Sequence, residues 1–251
     1  MKRTGPMLAA LLAALLAAGC AAGPDMPDDQ RAADSHAGAG LHLIAQAQPE
    51  AARSRLERAL QIDGEHPQAL SGMGLVAESQ GDLEMAHEYH RRAAQAAPDS
   101  GPILNNRGRS LCRAGQVDEA LEVFGDAAGA GGYDSAEVPL TNAARCALDA
   151  GREDAAARRA DAAVEAAPGF APARVVRGEL RYRQGALEAA AEDLERARDS
   201  GGAGARGLYW SARVAAEQGR PEEAAAFAEM LAERFPGSGW NERLHADEVG
   251  P

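Results

Sequence analysis

Small apolar residues recur along this chain at a spacing of 34 residues, and polar turn residues recur between them in the same order. The central series is Ala52, Ala86, Ala120, Ala156, Ala190 and Ala224, with one step of 36 residues. Twelve residues before its members lie Gly40, Gly74, Gly108, Ala144, Gly178 and Ala212; seven residues after them lie Ala59, Ala93, Ala127, Ala163, Ala197 and Leu231. This register predicts a chain of six similar units.

Turn and helix-start signals predict two helices in each unit. A glycine placed to end the first helix in a left-handed conformation recurs at Gly81, Gly115, Gly151, Gly185 and Gly219. Acidic residues follow several of these glycines, at the position where the helix dipole favours negative charge. Pro49 and Pro221 occupy equivalent early positions of second helices, where proline is preferred.

The period and its offsets resemble the tetratricopeptide repeat (TPR), in which two antiparallel helices form each unit and successive units stack. The resemblance implies an all-α, right-handed superhelical solenoid of six helix-turn-helix repeats with a short C-terminal capping segment. The expected repeats span about 33–66, 67–100, 101–136, 137–170, 171–204 and 205–236, within a domain at 35–236, and 237–251 form the cap and tail. Glycine or alanine at the helix crossings lets the two backbones approach closely, and a larger side chain would overpack them.

The N-terminus predicts an exported, lipid-anchored protein. Lys2 and Arg3 precede an apolar run at 7–18, which is too short to span a bilayer and suits a signal peptide. The run ends at Gly19-Cys20 and resembles a bacterial lipoprotein signal, which implies removal of residues 1–19 and lipidation of Cys20. Residues 20–34, rich in Gly, Pro and Asp, are expected to form a flexible tether. The alternative is a plain secretory signal cleaved near Ala18 or Ala22.

The charge of the chain excludes some partners. With 26 basic and 38 acidic residues, the net charge is −12, and it becomes −14 when the signal with Lys2 and Arg3 is removed. Such a chain lacks the basic surface that nucleic acid requires, and anionic lipid headgroups repel it. The lipid on Cys20 must therefore hold it at the membrane, and the resemblance implies the periplasmic face of the outer membrane.

No arrangement in the sequence supports an enzyme, a metal site, a cofactor or a small-molecule substrate. His87 and His90 are paired at helical spacing, but not in the two-histidine zinc motif, and no third ligand is evident. We expect His90 instead to fill a packing position that is usually aromatic in this repeat class. The glycine-rich run at 129–132 follows a predicted helix rather than a strand, so it is interpreted as a loop between repeats.

Three stretches carry a narrower resemblance. Residues 103–112 read ILNNRGRSLC, residues 142–148 read NAARCAL, and residues 235–238 read FPGS. Together they resemble the type IV pilus biogenesis/stability lipoprotein family (PilW/PilF, the TPR pilotins), although Arg107 stands where that family usually has Tyr. The resemblance implies an outer-membrane lipoprotein that binds the secretin subunit and helps it reach the outer membrane and form its multimeric pore. Another outer-membrane TPR adaptor, for β-barrel assembly or peptidoglycan enzymes, is the alternative.

In TPR solenoids the first helices line the concave face, and this predicts a binding groove. By register its candidate residues are Leu41, Ile44, Leu75, Asn105, Arg109, Arg113, Arg145, Arg183, Tyr209 and Arg213, with Glu78 and Glu179 among them. The groove is thus expected to be apolar at its start and basic later. The alternative is that these arginines belong to an ordinary solvated helix face. A carboxylate clamp is not expected, because Pro172 and Val176 stand where basic residues would be needed.

Cys112 and Cys146 remain once Cys20 is acylated, and they are candidates for a disulfide. They lie on the first helices of neighbouring repeats, in the two cysteine-bearing stretches of the pilus family resemblance. An oxidising periplasm favours joining an even pair of thiols. The alternative is two buried thiols that serve as small apolar residues.

Overall fold

The computed structural model describes residues 27–249, and its regular structure in that range is entirely helical. The thirteen helices of this range are α1 (Asp28–Ala45), α2 (Pro49–Ile62), α3 (Pro67–Ser79), α4 (Leu83–Ala96), α5 (Gly101–Arg113), α6 (Val117–Gly129), α7 (Glu137–Asp149), α8 (Glu153–Ala166), α9 (Ala171–Arg183), α10 (Leu187–Asp199), α11 (Gly204–Glu217), α12 (Pro221–Arg234) and α13 (Gly239–Val249).

The first twelve helices form six hairpins, in which each odd-numbered helix packs against the even-numbered helix that follows it. Successive odd-numbered helices, α1 to α11, also contact one another. Within the described residues the backbones of successive even-numbered helices stay farther apart than those of successive odd-numbered helices, so the array curves with α1 to α11 on its concave side. Helix α13 closes the end by packing on α11 and α12. The predicted all-α repeat solenoid is confirmed.

The turn between the two helices of a hairpin has the predicted left-handed geometry. Gly81 has φ +78° and Gly151 has φ +73°, values that side chains other than glycine rarely adopt. The carboxylate of Asp82 then accepts a hydrogen bond of 3.0 Å from the backbone N–H of Met85, which caps the start of α4. Pro49 and Pro221 begin α2 and α12, as their position in the repeat predicts.

The helix crossings match small residues with large ones. A Cβ added at Gly108 would lie 2.7 Å from the Phe124 ring, and one at Gly178 would lie 2.9 Å from Leu194 Cγ. These distances leave no room for a methyl group. Where alanine replaces this glycine, at Ala144, the residue at the facing register position is also small, Ala160, and both are fully buried. Close packing at each of these crossings therefore depends on a small residue on the first helix.

The first helix begins earlier than the sequence predicts. Residues 28–34, expected as part of the tether, are helical in α1. Ala33 is fully buried, and Asp34 Oδ1 lies 2.8 Å from Nε2 of His66, which itself caps α3 by accepting from Ala69 N–H. These contacts hold the segment on the first repeat, although its Asp-rich composition resembles a linker. The predicted signal at 1–19 and Cys20 lie outside the described residues.

Residues of the predicted cap also fold. Residues 239–249 of the 237–251 segment form α13. None of the helices in residues 27–249 combines the length and apolar character that crossing a membrane requires.

Candidate protein-binding groove

The N-terminal end of the concave layer carries an apolar ledge formed by Leu41, Ile44 and Leu75. All three side chains are half-buried rather than fully exposed. The Leu41 side chain packs against α3 of the next repeat: a Cβ added at Gly72 would lie 3.3 Å from Leu41 Cδ2. Ile44 packs against the core of the first hairpin. The ledge therefore offers apolar surface that is already held in place by its own core.

A buried carboxylate organises the next part of the groove. Glu78 of α3 has a side chain only 9% exposed, and its carboxylate lies 2.5 Å from Arg113 and 3.5 Å from Arg109 on α5. Burial raises the pKa of this carboxyl, but the adjacent His90 and the charges of Arg109 and Arg113 lower it by more, so the net pKa lies below its usual value. The two predicted groove arginines thus link neighbouring repeats through Glu78.

His90 lies in the core, as predicted. It is fully buried, and its Nε2 is 3.3 Å from Glu78 Oε1, within ion-pair distance but without the alignment of a hydrogen bond. His87, expected to pair with it if a metal were bound, lies instead at 3.0 Å from the guanidinium of Arg107. Burial and the charge of Arg107 lower the pKa of His87. Across residues 27–244 no group of three or more His, Cys, Asp or Glu side chains is arranged to hold a metal.

Asn105 does not belong to the exposed groove, contrary to the register prediction. It is 8% exposed, and its amide oxygen accepts a 2.9 Å hydrogen bond from Asn142 on α7. The neighbouring Asn106 donates 3.1 Å to Ser71 on α3. Both asparagines of this stretch therefore join adjacent first helices, which explains their burial.

Tyr209 is also buried, at 1% exposed, so its prediction as a groove residue is wrong. The cause is α13, whose Trp240 ring centroid lies 5.1 Å from that of Tyr209. The register could not reveal this cover, because Trp240 lies beyond the six repeats. Arg213 stays half-buried beside it and donates 3.2 Å to the hydroxyl of Tyr182 on α9.

A second buried carboxylate ties α9 to α11. Glu179 is 1% exposed and lies 2.7 Å from Arg183 and 2.6 Å from Arg206. Arg183 was predicted for the groove, whereas Arg206 was not. Because Arg183 and Arg206 both form ion pairs with Glu179, internal ion pairs stabilise this part of the groove.

A third buried carboxylate, Asp193 of α10, is not among the residues that the sequence predicts for the groove. It is 1% exposed and pairs with Arg174 at 2.8 Å, Arg177 at 2.7 Å and Arg181 at 2.7 Å, all three on α9. The available signal is that the other repeats have an aromatic, apolar or basic residue at this register position, namely Arg55, Tyr89, Val123, Arg159 and Phe227. Many arginines of this chain are therefore structural ties between helices rather than an ordinary solvated face.

Arg145 of α7 differs from the other groove arginines. Among the side chains that the structure describes, no carboxylate lies within ion-pair distance of it, and it is exposed to solvent in the concave face. The protein around its guanidinium lowers its pKa, as do the charges of Arg206 and Arg109, while Asp149 acts in the opposite sense. Because water still reaches the side chain, it remains a cation. It lines a cavity of about 290 Å³ together with Val175, Val176, Arg206 and Trp240, among others.

Cys112 of α5 and Cys146 of α7 form a disulfide in the structure. Their Cα atoms are 5.9 Å apart, within the usual range for such a bond. Cys146 is buried and Cys112 is half-buried. The bond joins the first helices of the third and fourth repeats and encloses the loop between α6 and α7.

Comparisons with known proteins agree with this architecture. The chain resembles PilF of Pseudomonas aeruginosa, with a TM-score of 0.74 and 21% identity over 88% of this chain and 100% of that one. It also resembles PilW, described as a widely conserved type IV pilus biogenesis factor, with a TM-score of 0.72 and 21% identity over 84% of this chain and 97% of that one. At these identities the likeness shows the fold.

One curated relative shares more sequence over a shorter stretch. Cellulose synthase 2 operon protein C of Komagataeibacter xylinus is 33% identical over 107 residues, which are 42% of this chain but only 8% of that protein. The family model described as tetratricopeptide repeat matches residues 38–101, 141–205 and 175–239. These matches cover more than half of the chain and coincide with the hairpins described above. The chain belongs to the tetratricopeptide repeat family.

Proposed function

We propose that this chain is a type IV pilus biogenesis lipoprotein, anchored to the periplasmic face of the outer membrane through Cys20. In this role it is a pilotin-like scaffold that binds the secretin subunit and promotes its localisation and multimerisation in the outer membrane. It carries out no chemistry, and its concave face holds the partner.

The observation that carries this proposal is the extent of the structural likeness. The alignment with PilF takes in the whole of that chain, and the alignment with PilW takes in 97% of a protein described as a pilus biogenesis factor. Each alignment therefore takes in most of both chains. The sequence stretches at 103–112, 142–148 and 235–238 add support, since they fall in the third and fourth repeats and at the end of the sixth.

The apolar ledge is the proposed contact for the secretin segment. Leu41, Ile44 and Leu75 offer partly exposed apolar area on adjacent first helices, at the end of the solenoid nearest the predicted anchor. Burying such area against an apolar helix or strand would supply the association energy. The ion pairs of Glu78 with Arg109 and Arg113 join α3, which carries Leu75, to α5.

The test is co-purification from detergent-solubilised membranes of a strain that carries a tagged full chain. We expect the secretin subunit to co-purify with the wild type, and to be reduced about tenfold or more with Leu41→Glu, because a charge then faces the apolar contact. Met85→Glu is the matched control, since Met85 is exposed on the outer helix α4 and 46% accessible. Equal recovery of secretin with both variants, or none with the wild type, would count against the proposal.

A second candidate is a TPR adaptor for another outer-membrane assembly, such as the β-barrel or peptidoglycan-enzyme machinery. The 33% identity over 107 residues with part of the cellulose synthase operon protein supports it, because that relative is described with a different machinery and its identity exceeds the 21% found over longer stretches with PilF and PilW. Recovery of a different assembly, with no secretin, would favour this candidate.

A further inference from the structure

The cavity beside Arg145 combines a cation that has no ion-pair partner among the described side chains with an apolar wall. Three elements of the concave side and the C-terminal cap line it. They contribute Arg145 from α7; Pro172, Val175 and Val176 from α9; the segment 202–206 around the start of α11; and Trp240 from α13. Gly202, Ala203, Gly204 and Ala205 make one wall out of small residues. Because these side chains are small, they leave open the space that Arg145 and Trp240 also line.

Charge in this cavity is not balanced internally. Arg206 is neutralised by the buried Glu179, at 2.6 Å, and lies 3.8 Å from Asp149. Its guanidinium also lies over the Trp240 ring, 5.1 Å from the centroid, so its position is fixed from two sides. Among the side chains that the structure describes, Arg145 has no ion-pair partner; the charges of Arg206 and Arg109 lower its pKa, and the more distant carboxylates of Asp149 and Glu179 oppose them. The protein as a whole is strongly acidic. An unpaired cation in its concave face therefore makes the local charge positive within a negatively charged protein.

We propose that this cavity is a binding site for an acidic segment of a partner protein, in which an Asp or Glu carboxylate pairs with Arg145 and a neighbouring apolar side chain packs on Val175, Val176 and Trp240. This rests on the proposed protein-binding role and adds a second contact, distant from the apolar ledge. Charge complementarity selects the occupant. An arginine presents a fork of N–H donors that fits a carboxylate, and a segment bound over Arg145 would displace water from the pair and so strengthen it.

The geometry favours an internal acidic residue over a chain terminus. The concave layer continues past Arg145 in both directions, through α5 on one side and α9 and α11 on the other. A bound segment can therefore pass along the groove while one of its carboxylates reaches Arg145. Because Arg206 is already paired, a single carboxylate is enough to balance the site.

The experiment uses the full chain purified in mild detergent and a phage-displayed library of random twelve-residue peptides, fused through their C-termini. Peptides selected on the wild type are expected to be enriched in Asp or Glu adjacent to an aliphatic or aromatic residue. The best of them, made synthetically with a blocked C-terminus, should lose about tenfold or more in affinity when the acidic residue is changed to its amide. The same loss is expected with Arg145→Glu, and binding should weaken as salt is raised.

Arg158→Glu is the matched control, because it makes the same charge change on the exposed face of α8, in the outer layer. It should bind the peptides like the wild type. The proposal is overturned if the selected peptides lack acidic residues, if they bind Arg145→Glu and Arg158→Glu equally, or if binding requires a free C-terminus. Because the probes are peptides in solution, failure of secretin to co-purify would leave this result standing, and the reverse also holds.

Discussion

The imidazole of His90 covers the backbone of Gly74 so closely that a Cβ at residue 74 would lie 2.5 Å from His90 Cε1. His90 is fully buried, and both of its ring nitrogens lack a well-aligned hydrogen bond. A ring with little freedom to move thus stands against a residue with no side chain. The crossing of α3 and α4 depends on this pair.

Gly74→Ala is therefore expected to destabilise the protein by roughly 1–3 kcal/mol or more, because the added methyl overlaps the ring and separates the helices. Urea unfolding followed by circular dichroism measures this. Gly125→Ala is the matched control, since Gly125 is exposed within α6 and an added Cβ meets nothing within 4 Å. That variant should be stabilised by about 0.5–1 kcal/mol, as usual for alanine in a helix. Equal effects from the two changes would show that the crossing is not tightly packed.

The disulfide between Cys112 and Cys146 predicts that protein isolated from the cell and denatured without reductant contains no free thiol at these positions. Alkylation followed by mass spectrometry measures it. The double change Cys112→Ala and Cys146→Ala should lower the free energy of unfolding by roughly 2–4 kcal/mol, because the unfolded chain regains the entropy of a closed loop. Reduced wild type is the control and should approach the variant. Two free thiols in the isolated protein would contradict the bond.

The lowered pKa of Glu78 predicts an acid-sensitive fold. The folded carboxyl binds its proton more weakly than the unfolded one, whose pKa is near 4.5, so its stabilising contribution is present above that value and is lost as the pH falls through the folded pKa. Glu78→Gln should remove this part of the pH dependence below about 4.5 and reduce stability near neutrality by about 1–3 kcal/mol. Glu122→Gln, a change at an exposed position of α6, is the control. Parallel stability curves for wild type and Glu78→Gln between pH 3 and 7 would contradict the role assigned to this carboxylate.

The predicted lipoprotein signal gives a separate test at Cys20, which lies outside the described residues. Cys20→Ser should leave the precursor unprocessed or release the protein from the outer-membrane fraction, because no acyl chain can then be attached. Membrane fractionation and the mass of the mature N-terminus measure this. The variant without Cys112 and Cys146 should fractionate like the wild type. A processed Cys20→Ser protein that stays in the outer membrane would refute the anchor.

The sequence predicted the repeat solenoid well because each of its signals is local and recurs. Gly81 and Gly151 are needed by the turn itself, and glycines such as Gly108 are needed by the crossing, so both can be read from their own positions. The groove was less predictable. Register identifies the inner helix face, but burial there depends on what packs over it, as Trp240 does over Tyr209 and Asn142 over Asn105. The pairing of arginines with Glu179 and Asp193 likewise depends on distances between repeats.

The bond between Cys112 and Cys146 also determines how far this molecule can be stretched. A solenoid joined only by neighbour contacts can unravel from either end, repeat by repeat, when its termini are pulled apart. The crosslink spans 34 positions, and a chain of that length would extend by roughly 110–120 Å. These residues cannot extend while the bond is intact, so a pulling force passes through the disulfide directly from α5 to α7. The molecule would thus reach its maximum extension while the residues between Cys112 and Cys146 carry no tension.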